Sequence, residues 1–142
     1  MKIYLSSVFA ALILFFSPIN GIILLVAIST IIDSGFGIWR SYNEGKTITS
    51  KIFRHGFVPK LLSYIAVVML VYCSDVFIIN ALTKLVISVD FISTKIIALV
   101  LLSIEVKSMD ESFTAVKKYS FLQKARVAID KFKDIKKELK DN

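Results

Sequence analysis

The apolar run at residues 61–79 constrains this chain more than any other feature. Among its 19 residues, only Asp75 is charged. Crossing the hydrocarbon core of a bilayer takes about 17–25 mostly apolar residues in a helix. Pro59 and Lys60 stand at the start of the run, where proline is tolerated and a lysine side chain can extend to the interface. The run therefore predicts a transmembrane helix.

Three other apolar segments accompany it, at residues 3–16, 22–39 and 87–106. The last two are long enough to be spans. The segment at 3–16 is short, and Pro18 and Gly21, which favour a break, separate it from 22–39. We expect this N-terminal segment to be a half-span or an interfacial helix that packs beside the next one. A fourth crossing is one alternative, and a cleaved signal peptide is another, because Lys2 precedes the apolar run.

Composition and charge favour a membrane domain followed by a polar tail. Hydrophobic residues make up 56% of the 142 residues and charged residues only 20%, which is more apolar than an ordinary soluble domain. Of the formal net charge of +7, residues 40–60 carry +4 and residues 104–142 carry +3. Under the positive-inside rule, the basic loop at 40–60 and the tail are both cytoplasmic. The expected fold is an all-α membrane protein with about three transmembrane helices, a membrane domain at residues 1–106 and a tail at residues 107–142.

The tail predicts a C-terminal amphipathic basic helix. Apolar residues recur in it at steps of three and four, with lysines on the opposite face. Three roles are open: lying on an anionic inner leaflet, pairing with other copies as a short coiled coil, and being a solvated helix of no special function. The apolar positions are Leu122, Ala125, Ile129, Phe132, Ile135 and Leu139.

Three acidic residues, Asp33, Asp75 and Glu105, lie within or at the edge of apolar segments, where an ionised group is costly. They are candidates for a polar seam between helices or for the lining of a pore. Each also has a local alternative. Asp33 would mark a fraying helix end and Asp75 the outer end of its span, while Glu105 would pair with Lys107 or lie at the level of the lipid headgroups. The expected membrane-interface residues, which end the segment at 22–39, are Trp39, Arg40 and Tyr42.

Other kinds of chemistry have little support in the sequence. With one histidine, His55, and one cysteine, Cys73, no nucleophile has a recognisable base, and we do not expect an enzyme. The same scarcity argues against a metal site, and we expect no cofactor. Neither basic segment has the interleaved aromatic residues or a known motif of nucleic-acid-binding proteins, so we expect no nucleic-acid partner.

The polar residues follow an ordered pattern relative to the apolar segments. An Asp is followed four residues later by Gly at the end of residues 22–39, and a Ser-Lys pair, a Gly and a Lys follow in the basic loop. Another Asp lies near the end of the next span, and a Glu-x-x-Ser-x-x-Glu stretch follows the last one. In chain order the residues are Asp33, Gly37, Ser50, Lys51, Gly56, Lys60, Asp75, Glu105, Ser108 and Glu111.

Through this pattern the chain resembles the phage lysis holins of the toxin-secretion type, over roughly residues 22–112. It departs from the family at Ser112, where the family tends to have Asn. The resemblance implies a homo-oligomer in the bacterial (host) inner membrane that permeabilises the lipid bilayer during phage lysis. A muralytic enzyme, the endolysin, then reaches the cell wall. An alternative from a different class is a small membrane scaffold that recruits a partner through its basic tail and has no permeability role.

Overall fold

The computed structural model describes residues 2–47, 49–83 and 89–141, and these residues are almost entirely helical. No strand occurs within those ranges. Two short irregular turns interrupt the α-helices, a 3-10 turn at Ser17–Ile19 and a π-helical turn at Asp75–Ile79. The helices are α1 (Lys2–Phe16), α2 (Asn20–Asn43), α3 (Ser50–Ser74), α4 (Asn80–Thr83), α5 (Ile92–Lys117) and α6 (Phe121–Asp141).

The helices α2, α3 and α5 form a three-helix bundle in which α3 runs antiparallel to the other two. At one end, Asp75 at the end of α3 contacts Thr94 near the start of α5. Further along, Lys60 in the first half of α3 contacts Glu105 in the second half of α5. Apolar residues fill the core between these two levels: Ile19, Val26, Val68, Tyr72, Ala98 and Leu101.

The surface of the bundle is more apolar than part of its interior, and α2 shows this most clearly. Its outward face carries large aliphatic side chains, such as Leu24 and Ile31, that are 60% and 55% exposed. Its inward face buries Ser29, Thr30 and Asp33. A surface helix of a water-soluble protein has the opposite arrangement. The outside of the bundle is therefore suited to lipid rather than to water.

Two helical stretches, Ser6–Asn43 and Gly56–Leu82, are long and apolar enough to cross a membrane. Only 11% and 17% of their most apolar portions are buried inside the protein, unlike the core helix of a soluble domain. The third predicted span corresponds to α5, whose composition alone does not mark it as a span. Lys95, Glu105 and Lys107 place three charges in its apolar part.

The third span also begins later than predicted. Residues 87–88 lie outside the described part of the chain, and α5 starts only at Ile92. Phe91 has a left-handed backbone conformation (φ 54°), which separates α5 from the residues before it. At its other end α5 runs on to Lys117, well past the predicted boundary at residue 106.

The prediction of a long basic loop at 40–60 is wrong for most of its length. The helix α2 continues to Asn43, and α3 already begins at Ser50. Gly45, in a left-handed conformation (φ 69°), ends α2 by donating its N–H to the carbonyl of Tyr42. The link between the two helices is thus only residues 44–49, and the basic charge lies mostly on helix ends.

The N-terminal segment is helical, but it does not pack along α2 as expected. Pro18 lies in a 3-10 turn that joins α1 to α2 without an extended break. The residues from Ser6 to Leu14 are all exposed. The described part of α1 meets the bundle at its C-terminal end, where Tyr72 donates its hydroxyl to the carbonyl of Phe15 at 2.8 Å. The helix α1 therefore packs against the bundle through Phe15 and Phe16.

Candidate functional site

One charged residue from each bundle helix converges on a single ionic cluster. Lys60 Nζ donates to Asp33 Oδ2 at 2.6 Å and to Glu105 Oε2 at 2.7 Å. The Glu105 side chain is fully buried, that of Asp33 is 11% exposed and that of Lys60 is 28% exposed. We call Asp33, Lys60 and Glu105 the buried triad. It connects α2, α3 and α5 through charge-assisted hydrogen bonds.

Helical spacing explains how each member of the triad reaches the interior. On α2, Asp33 follows the buried Val26 and Thr30 at steps of four and three. On α5, Glu105 follows the buried Ala98 and Leu101 at the same kind of spacing. Lys60 lies two turns before the buried Val68 on the same side of α3. Each acid or base therefore continues the inward face of its own helix.

The hydroxyl groups beside the triad satisfy themselves within α2. Ser29 and Thr30 both donate to the carbonyl of Val26, at 2.8 and 2.9 Å, and Ser34 donates to the carbonyl of Thr30 at 2.8 Å. Such bonds to the preceding turn are common where a polar side chain has no other partner. Lys60 consequently supplies the counter-charge for both carboxylates.

The triad is not electrically balanced. With all three groups ionised, two carboxylates face one ammonium group, so the formal charge of the cluster is −1. Asp33 Oδ1 and Glu105 Oε1 are buried and accept no hydrogen bond from the described residues. Buried charges with incomplete hydrogen bonding are unfavourable, and such a cluster contributes less to stability than its short distances suggest.

A cavity of about 410 Å³ lies against the triad between α2 and α3. Its lining includes Asp33 and Lys60, and also Gly37 and Gly56. Lys46, in the link between α2 and α3, lines the same cavity. The cavity therefore connects the triad with the basic end of the bundle.

Asp75, the third predicted seam residue, does not join the triad. It lies 15 residues from Lys60 on the same helical rod, or about 22 Å at 1.5 Å per residue. Its side chain is fully buried and accepts three hydrogen bonds, from Thr94 N at 2.7 Å, Thr94 Oγ1 at 2.6 Å and Ser93 N at 3.3 Å. Asp75 thus accepts hydrogen bonds from N–H groups at the start of α5 that have no partner within the helix, and the helix dipole also favours a negative charge there.

Two of the local alternatives for these acids are wrong. Asp33 does not mark a fraying helix end, because α2 continues for ten residues beyond it to Asn43. Glu105 does not pair with Lys107, because Lys107 faces Glu111 at 4.0 Å on the exposed side of α5. The sequence indicated Lys60 only as part of a motif and as a lysine extending outward. Its inward contacts with both acids were not predicted.

The remaining motif residues are dispersed. Gly37 and Gly56 line the cavity, Ser108 is half-buried and Glu111 is exposed. The side chains of Ser50 and Lys51 lie outside the described residues.

The predicted interface residues lie at the basic end of the bundle. The ring of Trp39 packs against that of Phe113 on α5, with centroids 5.9 Å apart. Arg40 pairs with Glu44 at 2.7 Å, and Tyr42 is 77% exposed. Hydrogen bonds from Arg40 and Lys46 lower the pKa of Glu44 to about 2. This end of the bundle therefore combines aromatic rings with paired charges.

The junction between α5 and α6 is held by Asp110. Its carboxylate accepts hydrogen bonds from Ser120 Oγ at 2.6 Å, Phe121 N at 2.8 Å and Leu122 N at 3.2 Å. Burial acts to raise the pKa of Asp110, but these hydrogen bonds outweigh it and hold the pKa below its usual value. Asp110 thus anchors the first turn of α6 to the side of α5.

Comparison of the chain with protein-family models, curated proteins and solved structures gave no match. Within the described residues, no group of three or more His, Cys, Asp or Glu side chains could hold a metal ion. The interpretation of the site therefore depends on the geometry of the triad and on the membrane-like surface of the bundle.

Proposed function

We propose that this protein is a holin, which assembles in the bacterial inner membrane and permeabilises it so that an endolysin reaches the cell wall. The observation that carries the proposal is the buried triad. Residues from three separate parts of the holin-like motif, Asp33, Lys60 and Glu105, meet inside a bundle whose outside is apolar. Ionisable groups inside a membrane bundle are expensive, and they usually serve a function.

The proposed topology has α2, α3 and α5 crossing the membrane. The fully buried Asp75 and the triad are about 22 Å apart along α3 with an apolar core between them, a separation that fits within a hydrocarbon core of about 30 Å. Both basic segments meet at the triad end, where Trp39 contacts Phe113. By the positive-inside rule this end faces the cytoplasm.

Buried polar side chains on α2 would line the proposed opening in the membrane. In the single bundle, the stripe formed by Ser29, Thr30, Asp33 and Ser34 faces inward and the aliphatic face of α2 faces lipid. When several copies assemble, a rotation of α2 brings these stripes together around water while the apolar faces remain in contact with lipid. Water then hydrates the carboxylate oxygens that lack partners in the closed bundle.

The triad also explains why the proposed transition from closed to open bundles would be abrupt. Opening the bundle requires Lys60 to leave both carboxylates, which is favourable only when water replaces its hydrogen bonds. A single copy therefore stays closed, whereas an assembly that admits water opens as a unit. Each copy contributes the same small free-energy difference between the closed and open states. The transition therefore becomes more cooperative as the number of copies increases.

The test is inducible expression in bacteria, with and without a cytosolic muralytic enzyme, while a membrane-potential dye and turbidity are recorded together. Wild-type protein should cause sudden depolarisation, followed by lysis only when the enzyme is present. A variant with an apolar interior, Asp33→Leu/Lys60→Met/Glu105→Met, removes the charges while retaining bulk. It should reach the membrane at the same level and leave the potential unchanged over the period in which the wild type acts.

The matched control is Asp130→Asn, which removes an exposed acid that is 71% accessible and distant from the bundle interior. Its depolarisation time should equal that of the wild type. Normal potential and turbidity at high levels of inserted wild-type protein would reject the holin proposal. A membrane scaffold acting through its tail would then be the better hypothesis, and removal of residues 113–142 should abolish its function.

A further inference from the structure

Helix α6 leaves the bundle with its apolar face uncovered. Its first two residues, Phe121 and Leu122, contact Asp110, but every residue from Gln123 to Lys136 is exposed. Among these, Ile129, Phe132 and Ile135 are 53%, 73% and 52% exposed. A contiguous apolar face of this kind indicates a surface that contacts another molecule or a membrane.

The charges of α6 are sorted around its circumference. At 3.6 residues per turn, Lys124 and Lys131 lie along one edge of the apolar face, and Arg126 and Lys133 lie along the other. The acids Asp130 and Asp134 lie in the middle of the opposite face. Lys136 lies within the apolar face near the end of the described residues. The apolar positions between the two basic edges are Phe121, Leu122, Ala125, Ala128, Ile129, Phe132 and Ile135.

This distribution suits a bilayer surface. Bases at the edges of an apolar face can extend to lipid phosphates while the apolar side chains enter the acyl boundary. Acids in the middle of the polar face then point to water, away from the anionic lipids. Solubility alone does not require acids and bases to lie on separate parts of the helix surface.

A coiled coil between copies fits less well. Its seam would run through Phe121, Ala125, Ala128, Phe132 and Ile135, at alternating steps of four and three. Leu122 and Ile129 lie outside that seam and widen the apolar face beyond the narrow stripe that a coiled coil requires. The wide face and the basic edges favour a flat anionic surface as the partner.

The junction with the bundle places α6 at the level of such a surface. The rings of Phe113, Tyr119 and Phe121 form an aromatic cluster beside Trp39. Lys124 Nζ lies 3.6 Å from the centroid of the Tyr119 ring. Aromatic rings combined with cations are typical of the membrane–water interface.

A cleft between α5 and α6 adds to the basic character of this junction. Its volume is about 770 Å³, and it is lined by Arg40, Lys107 and Arg126 as well as by Asp110 and Glu111. Ser103, on the apolar part of α5, lines the same cleft and connects it with the lipid-facing surface. The cleft therefore brings together bases from three helices, of which Arg40 and Lys107 also face Glu44 and Glu111.

We propose that α6 binds the surface of an anionic phospholipid bilayer, with its apolar face at the acyl boundary and its four edge bases at the lipid phosphates. The proposal uses the position of α6 beside the membrane-like bundle and does not require permeabilisation. It assigns to the tail one of the three roles that the sequence leaves open.

The test uses spin labels on the full chain in a Cys73→Ala background, reconstituted into vesicles of phosphatidylcholine with or without phosphatidylglycerol. One label replaces Phe132 on the apolar face (Phe132→Cys), and a matched label replaces Asp134 on the polar face (Asp134→Cys). In anionic vesicles, the label at 132 should collide mainly with oxygen dissolved in the bilayer, and the label at 134 mainly with a water-soluble nickel chelate. In phosphatidylcholine alone, this difference should shrink.

Charge variants complete the test. Lys124→Gln/Lys131→Gln should reduce the collisions of the label at 132 with oxygen in anionic vesicles, whereas Asp130→Asn alone should not. Equal exposure of both labels to the nickel chelate in anionic vesicles would overturn the proposal. Dipolar broadening between labels at 132, together with loss of their collisions with oxygen, would also overturn it, in favour of a coiled coil between copies. Flotation of the vesicles verifies insertion of the bundle, so either result is independent of whether the protein permeabilises membranes.

Discussion

The two polar levels of the bundle use buried acids in opposite ways. At one level, Asp75 accepts three hydrogen bonds from Ser93 and Thr94 at the start of α5. At the other, Asp33 and Glu105 share the single ammonium group of Lys60, and each retains one buried oxygen without a hydrogen bond from the described residues. The Asp75 carboxylate therefore has hydrogen bonds to both of its oxygens, whereas the carboxylates of the triad do not.

This difference separates a structural role from a functional one. A carboxylate that caps a helix and is fully hydrogen-bonded stabilises one packing of the helices. A charge-imbalanced cluster beside a cavity stabilises the same packing less and gains more from hydration. We therefore expect changes at the Asp75 level to alter stability alone, and changes at the triad to alter both stability and the proposed permeabilisation.

The largest effect on stability should follow from Lys60→Met, which removes the ammonium group of the buried triad. Removing the shared cation leaves two buried carboxylates without a counter-charge, and breaking a buried ion pair costs about 3–5 kcal/mol. Because the Lys60 side chain is 28% exposed, we expect the free energy of unfolding to fall by about 3 kcal/mol, at the lower end of this range. Thermal unfolding in detergent micelles would measure it.

The control for this prediction is Lys133→Met, which changes a lysine that is 73% exposed and should have little effect. The apolar triple variant should recover most of the lost stability, because well-packed apolar residues often replace a buried ionic cluster without loss. Equal stability of Lys60→Met and Lys133→Met would mean that the triad does not hold the helices together.

A smaller loss of stability should follow from Asp75→Asn, at the cap of α5. The amide oxygen can still accept a hydrogen bond, but the charge is lost and the amide N–H₂ faces donors from Ser93 and Thr94. Hydrogen bonds to charged groups contribute about 1.5–3 kcal/mol, so we expect a loss of about 2 kcal/mol in the same unfolding measurement. Thr94→Val, which removes one donor, should cost about 1 kcal/mol.

The time of depolarisation distinguishes the two levels. At equal amounts of inserted protein, Asp75→Asn should depolarise cells at the wild-type time, because Asp75 lies outside the triad and its cavity. If Asp75→Asn abolished depolarisation while remaining folded, the division between a structural and a functional level would be wrong.

The sequence predicted the helices better than their ends. Hydropathy identifies residues that lie in lipid, and it located the apolar parts of α2 and α3. It does not detect a helix that continues beyond the apolar run, and for this reason the hydropathy pattern predicts a loop at residues 50–60, although they begin α3. Conversely, the left-handed conformation of Phe91 has no counterpart in the hydropathy pattern, so α5 was extended too far towards the N-terminus.

The candidate site was only partly predictable for a related reason. The cost of placing an acid among apolar residues marked Asp33 and Glu105 individually. The periodicity of one helix shows which of its own faces turns inward, but not how neighbouring helices are rotated or shifted against it. The meeting of Lys60 with both acids depends on that relative placement, and a lysine near the start of a span is usually expected to extend outward.

The smallest effect concerns Asp110, which caps α6 as Asp75 caps α5 but does so near water. Its pKa is held below the usual value, and a depressed pKa means that the folded junction is favoured while the carboxylate is ionised. The contribution is complete above the ordinary value of about 3.9 and is lost as the pH falls through the lower folded pKa. The junction should therefore be unaffected at pH 7 and weaken only in acid.

Amide chemical shifts of Phe121 and Leu122 in micelles should titrate with a midpoint below about 3.9, and Asp110→Asn should remove the titration. A midpoint at or above that value would show that the hydrogen bonds from Ser120, Phe121 and Leu122 do not hold the junction in solution.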